Sequence, residues 1–174
     1  MKHLIKTAFL IGALTLSACT NADRFNSSDA IGLSGANSDN INQFALDGVN
    51  NPSSPQYFSQ TIGNRVLFTV DTSTLTAVGR NTLDEQSGWL SRNSDYLAVI
   101  EGHADEQGTR EYNLALGARR ANAVREYLIS KGLASGRIRT VSYGKERPLA
   151  VCSDETCYAQ NRRAITIISI GQNS

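Results

Sequence analysis

The residues best able to take part in chemistry lie in one part of the chain. The segment EGHADEQG (residues 101–108) carries three carboxylates and a histidine, and two arginines follow at positions 119 and 120. Opposite charges at this spacing can grip a charged ligand or close an internal ion pair. On the residues alone, a structural salt bridge between Asp105 and Arg120 is favoured over a ligand-binding pair.

The alternation of Glu101, His103 and Asp105 also suggests a metal or catalytic site. The sequence contains one other histidine, His3, near its N-terminus. Zinc sites usually draw on several His or Cys ligands, so we expect neither a metal ion nor a catalytic histidine here, and no cofactor. The chain also has no glycine-rich phosphate loop and no nucleophile and base at a recognisable spacing. We interpret His103 as a structural, hydrogen-bonded residue.

A strand and a helix must hold this segment in place. Apolar residues 96–100 predict a strand that runs into it, and Thr109 is the predicted N-cap of a long helix that stops at Lys131 and Gly132. One buried helical stripe is predicted from Leu114, Gly117, Ala121, Val124 and Leu128. Because ligands of α/β sheets bind outside the carboxyl ends of strands, we place the functional site at this strand–helix elbow.

The other patterns predict an α/β (α+β) sandwich, a four-stranded mixed sheet with helices packed on it, in the order β-α-β-α-β-(loop)-β. A βαβ crossover should be parallel and right-handed, and the isoleucine-rich last strand should lie inside the sheet. The remaining predicted elements are a first strand over 65–70, a helix capped by Thr76 that ends near Asn93, a third strand over 137–143 and a final strand over 164–170.

The N-terminal part of the chain differs in composition from the rest. Residues 1–18 combine a cationic start with an apolar run too short to span a bilayer, which is typical of a secretory signal. The sequence LSAC ending at Cys19 resembles a bacterial lipobox, and Thr20 then implies the outer membrane; the alternative is an ordinary signal with an incidental cysteine. Residues 19–56, rich in Asn, Ser, Asp and Gly, predict a lipid-anchored flexible linker, and residues 57–174 a folded domain.

Overall charge argues against a nucleic-acid partner. The whole chain has 17 basic and 16 acidic residues. Removing residues 1–18 takes away Lys2 and Lys6 and leaves 15 basic against 16 acidic residues. No basic surplus remains to neutralise phosphates.

Four motifs in order resemble the OmpA-like peptidoglycan-binding domain family. They are EGHADE at 101–106, the N-x-x-L and R-A-x-x-V pattern within 113–124, VSYGKE at 141–146 and NRR at 161–163. The resemblance covers about residues 65–170, and with the lipobox and linker it extends to the family's lipid-anchored members. It implies a non-enzymatic outer-membrane lipoprotein that tethers the membrane to peptidoglycan, binds TolB and other Tol proteins, and supports envelope integrity and constriction in cell division. The alternatives are a peptidoglycan-processing enzyme or a family anchor without Tol partners.

The same resemblance implies that the ligand is the diaminopimelate side chain of the peptidoglycan stem peptide. This group carries an ammonium and a carboxylate, so Asp105 would face the ammonium and Arg120 would clamp the carboxylate. Asn113 lies two helical turns before Arg120 on the same side of the helix. Backbone N–H groups at Thr109 and a polar contact from Asp71 would complete the peptidoglycan-binding set. With the resemblance, ligand binding is favoured over the structural salt bridge.

Two further groups of residues remain. With Cys19 taken by lipid, Cys152 and Cys157 are expected to form a disulfide in the oxidising envelope; a metal-ligand pair is the alternative and lacks companions. The arginines of the NRR motif at 161–163 are interpreted as braces for loop carbonyls, with direct glycan or peptide contact as the alternative.

Overall fold

The computed structural model describes residues 48–171, with a four-stranded mixed sheet at its centre. The strands are β1 (Arg65–Leu67), β2 (Tyr96–His103), β3 (Ile138–Gly144) and β4 (Arg163–Ile170), and they lie in the order β1-β4-β2-β3. Strand β2 pairs in parallel with β3 and antiparallel with β4, and β1 pairs antiparallel with β4. The isoleucine-rich β4 is therefore an interior strand, as predicted. The expected signal segment, the lipobox cysteine Cys19 and the linker up to residue 47 lie outside the described residues.

The two long helices follow the predicted alternation, and the structure adds short helical segments to them. The helices are α1 (Pro55–Tyr57), which continues as a π-helical turn over Phe58–Gly63, α2 (Ala77–Arg92), α3 (Arg110–Ser130) and α4 (Glu155–Asn161). Helix α4 lies in the segment that was predicted as a loop between β3 and β4. Its seven residues are too few to give a clear helical repeat of apolar side chains. Within residues 48–171, no helix is both long enough and apolar enough to cross a membrane.

Helix α3 lies against β2 at two glycines. A Cβ atom at Gly102 would sit 1.8 Å from the carbonyl oxygen of Gly117, and one at Gly117 would meet Ser142 Oγ at 2.4 Å and the Gly102 oxygen at 2.8 Å. Only residues without a Cβ permit this approach. The contact fixes the position of α3 on the parallel β2–β3 pair and therefore the geometry of the elbow between β2 and α3.

The core fills the space between the sheet and the helices. Its apolar residues include Phe58, Leu83, Trp89, Ile100, Val124 and Leu128, each at most 1% exposed. The Trp89 ring contacts Phe58 and Tyr96, with centroids 4.9 and 5.1 Å apart, and its Nε1 donates to the Pro52 carbonyl at 2.6 Å. The packed structure thus reaches back to Pro52, upstream of residue 57.

Some predicted element ends and faces differ from the structure. Strand β1 ends at Leu67 rather than residue 70, and β2 continues to His103 because its pairing with β3 extends past Ile100. On α3 the prediction that Leu114 is buried is wrong, since this side chain is 49% exposed. Its buried face is instead formed by Asn113, Leu116, Gly117, Arg120, Ala121, Val124 and Leu128. A stripe chosen by hydrophobicity alone misses the two buried polar side chains.

Candidate functional site

The elbow between β2 and α3 is held by its own backbone and by β3. Ala104 N–H donates to the Gly144 carbonyl at 2.8 Å, which ties the first residue after β2 to the end of β3. Thr109 is the N-cap of α3, and its hydroxyl accepts from the Tyr112 N–H at 3.2 Å. Gly108, just before the cap, has a φ of +86° that favours glycine. These features hold the residues of the elbow in place at the carboxyl end of β2.

A cavity of about 190 Å³ opens beside this elbow. Three of the predicted site residues, Asp71, Asp105 and Asn113, are among the residues that line it. The other two predicted residues do not line the cavity: Thr109 is the N-cap of α3, and Arg120 is fully buried. The complete lining is Val70, Asp71, Asp105, Gln107, Gly108, Tyr112, Asn113 and Leu116.

Asp105 is held from two sides. Its Oδ1 accepts from the Gln107 N–H at 3.3 Å, and its Oδ2 accepts from Arg162 Nη1 at 3.2 Å. The ion pair of Asp105 is therefore with Arg162, and the predicted alternative of a structural pair with Arg120 is wrong. The reason is that the donors of Arg120 are directed at backbone carbonyls, whereas Arg162 ends the α4 segment next to Asp105.

Arg120 connects two backbone segments beside the cavity, the turn after β1 and the end of β2. Its Nε donates to the Thr72 carbonyl at 2.8 Å, its Nη1 to that of His103 at 2.8 Å and its Nη2 to that of Thr69 at 3.1 Å. Burial lowers the pKa of Arg120 to about 10, while the carboxylates of Asp105 and Asp71 raise it. The guanidinium is therefore a permanent positive charge at neutral pH, close to both acids of the cavity.

Asn113 and Thr109 shape the elbow in different ways. Asn113 is 1% exposed, and its Nδ2 donates to the Gln107 carbonyl at 2.7 Å, which fixes the turn that carries Asp105. Thr109 is the N-cap of α3, and the first N–H groups after it have no acceptor within the helix, as at every helix start. The helix entry therefore adds a partial positive charge beside the cavity.

Asp71 lies across the cavity from the elbow, in the turn that follows β1. Its φ of +53° is unusual for a residue with a side chain. The Tyr112 hydroxyl donates to Asp71 Oδ1, and this hydrogen bond to the carboxylate raises the pKa of Tyr112. The turn and the start of α3 are thus linked over the cavity.

Sequence reasoning missed Arg162 and Tyr112 as parts of this site. Arg162 Nε donates to the Phe68 carbonyl at 3.4 Å, so the interpretation of its motif as a carbonyl brace describes part of its role. Its ion pairs with Asp105 and Glu155 were not foreseen. The NRR motif was the available signal, but the strand order that brings it to the elbow is a tertiary property.

His103 is buried without the hydrogen bonds we expected. It is 1% exposed, and neither ring nitrogen has a hydrogen-bond partner among residues 48–171. Burial, and then the charges of Arg163 and Arg147, lower the pKa of His103 to about 4. The ring stacks on Tyr143 with centroids 5.6 Å apart. The imidazole is neutral at neutral pH and serves as packing.

The two cysteines near the C-terminus are bonded to each other. Cys152 and Cys157 form a disulfide with a Cα–Cα distance of 5.7 Å. It joins the loop before α4 to the first turn of that helix. Both sulfur atoms are used in this bond, which removes them as metal ligands.

Comparison with known proteins places the chain in a family. Residues 67–162 match the family model described as the OmpA family. The chain is 48% identical over 160 residues to the peptidoglycan-associated lipoprotein of Mesorhizobium japonicum, covering 92% of this chain and 89% of the relative. With that of Rhizobium meliloti it is 53% identical over 121 residues, 70% of this chain and 69% of the relative.

A solved structure supports the same family. The crystal structure of the peptidoglycan-associated lipoprotein from Burkholderia pseudomallei superposes with a TM-score of 0.62 at 36% identity, covering 71% of this chain and all of the other. The two proteins therefore share the fold described above, a four-stranded mixed sheet with helices packed on it. The chain therefore belongs to the OmpA family, among relatives of the peptidoglycan-associated lipoproteins.

Proposed function

We propose that this protein is a non-enzymatic outer-membrane lipoprotein whose folded domain binds the diaminopimelate side chain of peptidoglycan. The observation that carries the proposal is the cavity at the β2–α3 elbow, where Asp71 and Asp105 lie close to the Arg120 guanidinium and the start of α3. A ligand with both an ammonium and a carboxylate fits such a distribution of charge. The name of the relatives, peptidoglycan-associated lipoprotein, supports association with peptidoglycan, and the choice of diaminopimelate rests on the charges around the cavity.

In the proposed complex, the ammonium of diaminopimelate contacts the carboxylate of Asp105, with Asp71 on the opposite wall. The carboxylate of the ligand points toward the first turn of α3 and toward Arg120. Helix starts bind anions through free N–H groups. Arg120 is held by three bonds to the backbone and is fully buried, so it would attract the carboxylate through its positive charge rather than by direct contact. The site would thus read both ends of the zwitterion.

The rest of the proposed function concerns the tether. Lipid on Cys19 would hold the protein in the outer membrane on its periplasmic face, and the chain between Cys19 and the packed structure would link the membrane to the cell wall. Because the packed structure reaches back to Pro52, a segment of about 32 residues is left, which could reach at most about 110 Å when fully extended. By its family the protein would also bind TolB and other Tol proteins and support envelope constriction during cell division.

The first prediction tests the ligand. We expect the full-length protein to sediment with cell walls that contain diaminopimelate and much less with walls that contain lysine in its place, because lysine lacks the second carboxylate. Asp105→Asn keeps the shape of the side chain and removes its charge, so retention on diaminopimelate walls should fall about tenfold or more, in line with loss of a charge-assisted hydrogen bond.

Controls separate loss of binding from loss of folding. Asp95 is an exposed acid at the opposite end of β2, so Asp95→Asn should bind like the wild type. Arg120→Lys retains the charge but not the fork of donors, and its thermal unfolding should be compared with its binding. Equal retention of the wild type on both kinds of wall would exclude diaminopimelate as the ligand.

The same preparation tests the enzyme alternative. Walls incubated with the protein should remain insoluble, with the protein bound to them. Release of soluble muropeptides above a protein-free control would contradict a purely binding function.

A further inference from the structure

Arg162 lies between two carboxylates that differ greatly in exposure. Its Nη1 is 3.2 Å from Asp105 Oδ2 and 3.4 Å from Glu155 Oε2, and its Nη2 pairs with Glu155 Oε1. The side chains of Arg162 and Asp105 are 5% and 9% exposed, whereas that of Glu155 is 68% exposed. One buried guanidinium is therefore shared between an acid of the cavity and an acid of the surface.

This arrangement sets part of the charge that a ligand meets at Asp105, beside the charges of Arg120 and Asp71. A pair made of Asp105 and Arg162 alone would be neutral, and it would attract an ammonium group only weakly. Glu155 adds a second negative charge, so the three groups together carry a charge of −1. Because Glu155 also takes two of the contacts of Arg162, it limits how firmly the guanidinium holds Asp105.

We propose that Glu155 is a positioning residue for ammonium recognition, acting through Arg162 to keep Asp105 available to a positively charged group. The inference rests on the proposed function, and it adds to the site a residue that does not line the cavity. Under this inference, Glu155 contributes part of the preference for a ligand with a free amine.

The fold fixes Glu155 in this position. It is the first residue of α4, whose N-cap Asp154 accepts from the Cys157 N–H at 3.1 Å. Asn161 at the other end of α4 accepts from Leu149 and Ala150 N–H at 2.7 and 3.1 Å. The helix is thus anchored at both ends, and Arg162 follows it directly in the chain.

The test compares two soluble probes. One is the stem tripeptide alanyl-γ-glutamyl-diaminopimelate, and the other is the same peptide acetylated on the side-chain amine. For the full-length wild type we expect the free amine to bind more tightly. In Glu155→Gln the free-amine peptide should bind about two- to fivefold more weakly, because a partly exposed charge acts through a screened medium. The acetylated peptide should bind as before, so the preference for the amine falls.

Two further variants distinguish the charge effect from simple damage. Glu155→Asp should largely restore the preference. The double variant Glu155→Gln, Arg162→Gln has the same net charge as the wild type, so it should regain part of the preference for the free amine. If the two substitutions acted only by damaging the structure, the double variant would lose more of this preference than Glu155→Gln alone. Glu146→Gln is the matched control, since Glu146 is an exposed acid that pairs with Arg110 at 3.1 Å and not with Arg162.

The outcomes separate this inference from the proposed function. If the wild type has no preference for the free amine and Asp105→Asn changes nothing, the proposed site itself fails. If Asp105→Asn loses binding while Glu155→Gln keeps the full preference of the wild type, the site stands and the inference about Glu155 is wrong. Thermal unfolding of each variant shows whether the substitution has disturbed α4. If Glu155→Gln fails to fold, the comparison is made with Glu155→Asp, and loss of the preference for the free amine in that folded variant would contradict the inference.

Discussion

At the scale of single residues, His103 shows what a buried titratable group costs at low pH. The depressed pKa of His103, about 4, is below the ordinary value of 6.5. Between these two values the unfolded chain binds a proton at His103 and the folded protein does not. The contribution to stability is therefore present above pH 6.5 and is lost as the pH falls toward 4.

We expect the wild type to lose about 2 kcal/mol of unfolding free energy between pH 7.5 and 4.5 through His103 alone. His103→Phe keeps an aromatic ring against Tyr143 and removes the titration. Urea unfolding of both proteins at the two pH values gives the difference, in which effects of other groups cancel. The same loss on acidification in both proteins would show that His103 does not titrate in this range.

The residue scale also shows where sequence reasoning stops. The stretch that carries Asp105 was identified from its charges, and three of the predicted residues do line one cavity. Arg120 and Asn113 were placed on the correct helix, but their complete burial was not foreseen, because hydrophobic patterns assign such faces to apolar residues. The partner of Asp105 lies 57 residues later in the chain, and no local pattern connects the two.

At the scale of secondary-structure elements, the contact between α3 and β2 depends on Gly102 and Gly117. An alanine at Gly117 would gain about 1 kcal/mol of helix propensity, but its Cβ would press on the backbone oxygen of Gly102. Backbone atoms on a sheet cannot move aside cheaply, so the clash should dominate. We expect Gly117→Ala to destabilise the protein by about 2 kcal/mol, measured by urea unfolding.

Gly88 in α2 provides the matched control. A Cβ atom there would meet only the end of the flexible Arg92 side chain, at 3.5 Å. Gly88→Ala should therefore stabilise the protein by about 1 kcal/mol through helix propensity. If both substitutions stabilise the protein, the helix–strand contact is looser than the structure indicates.

The disulfide beside α4 gives a prediction for a loop. Replacing Cys152 and Cys157 by serine removes a cross-link that closes a short loop, which should reduce the unfolding free energy by about 2 kcal/mol. Binding of diaminopimelate peptide should change less than twofold, because Asn161 still anchors α4. Thermal melts and peptide titrations measure the two effects separately, and a large loss of affinity at unchanged stability would contradict the prediction.

Secondary-structure elements could be predicted where the signal lies in neighbouring residues of the sequence. The caps of α2 at Thr76 and of α3 at Thr109 were identified from residue type and spacing, and both hydroxyls accept the expected N–H groups. The extension of β2 to His103 was missed because pairing with neighbouring strands continues into a polar sequence. Helix α4 was missed because a cap, a disulfide and side-chain bonds hold it, rather than an apolar repeat.

At the scale of the whole molecule, strand order brings the site together. Because β4 inserts between β1 and β2, Arg162, which directly precedes β4, comes next to the end of β1 and the elbow after β2. The sequence predicted the parallel β2–α3–β3 unit and an interior β4, since both depend on general rules of connection and burial. The exact neighbours of β4 depend on packing along the entire domain.

The attachment of the N-terminal segment near Pro52 has a mechanical consequence. Tyr96, at the start of β2, donates through its hydroxyl to the Ser53 carbonyl at 3.3 Å, whereas Asp105 follows the other end of the same strand. If the membrane pulls on one end and the cell wall holds the other, the force runs lengthwise along β2. Strands β3 and β4 on either side would then resist by shear of many hydrogen bonds at once, rather than by separating them one after another.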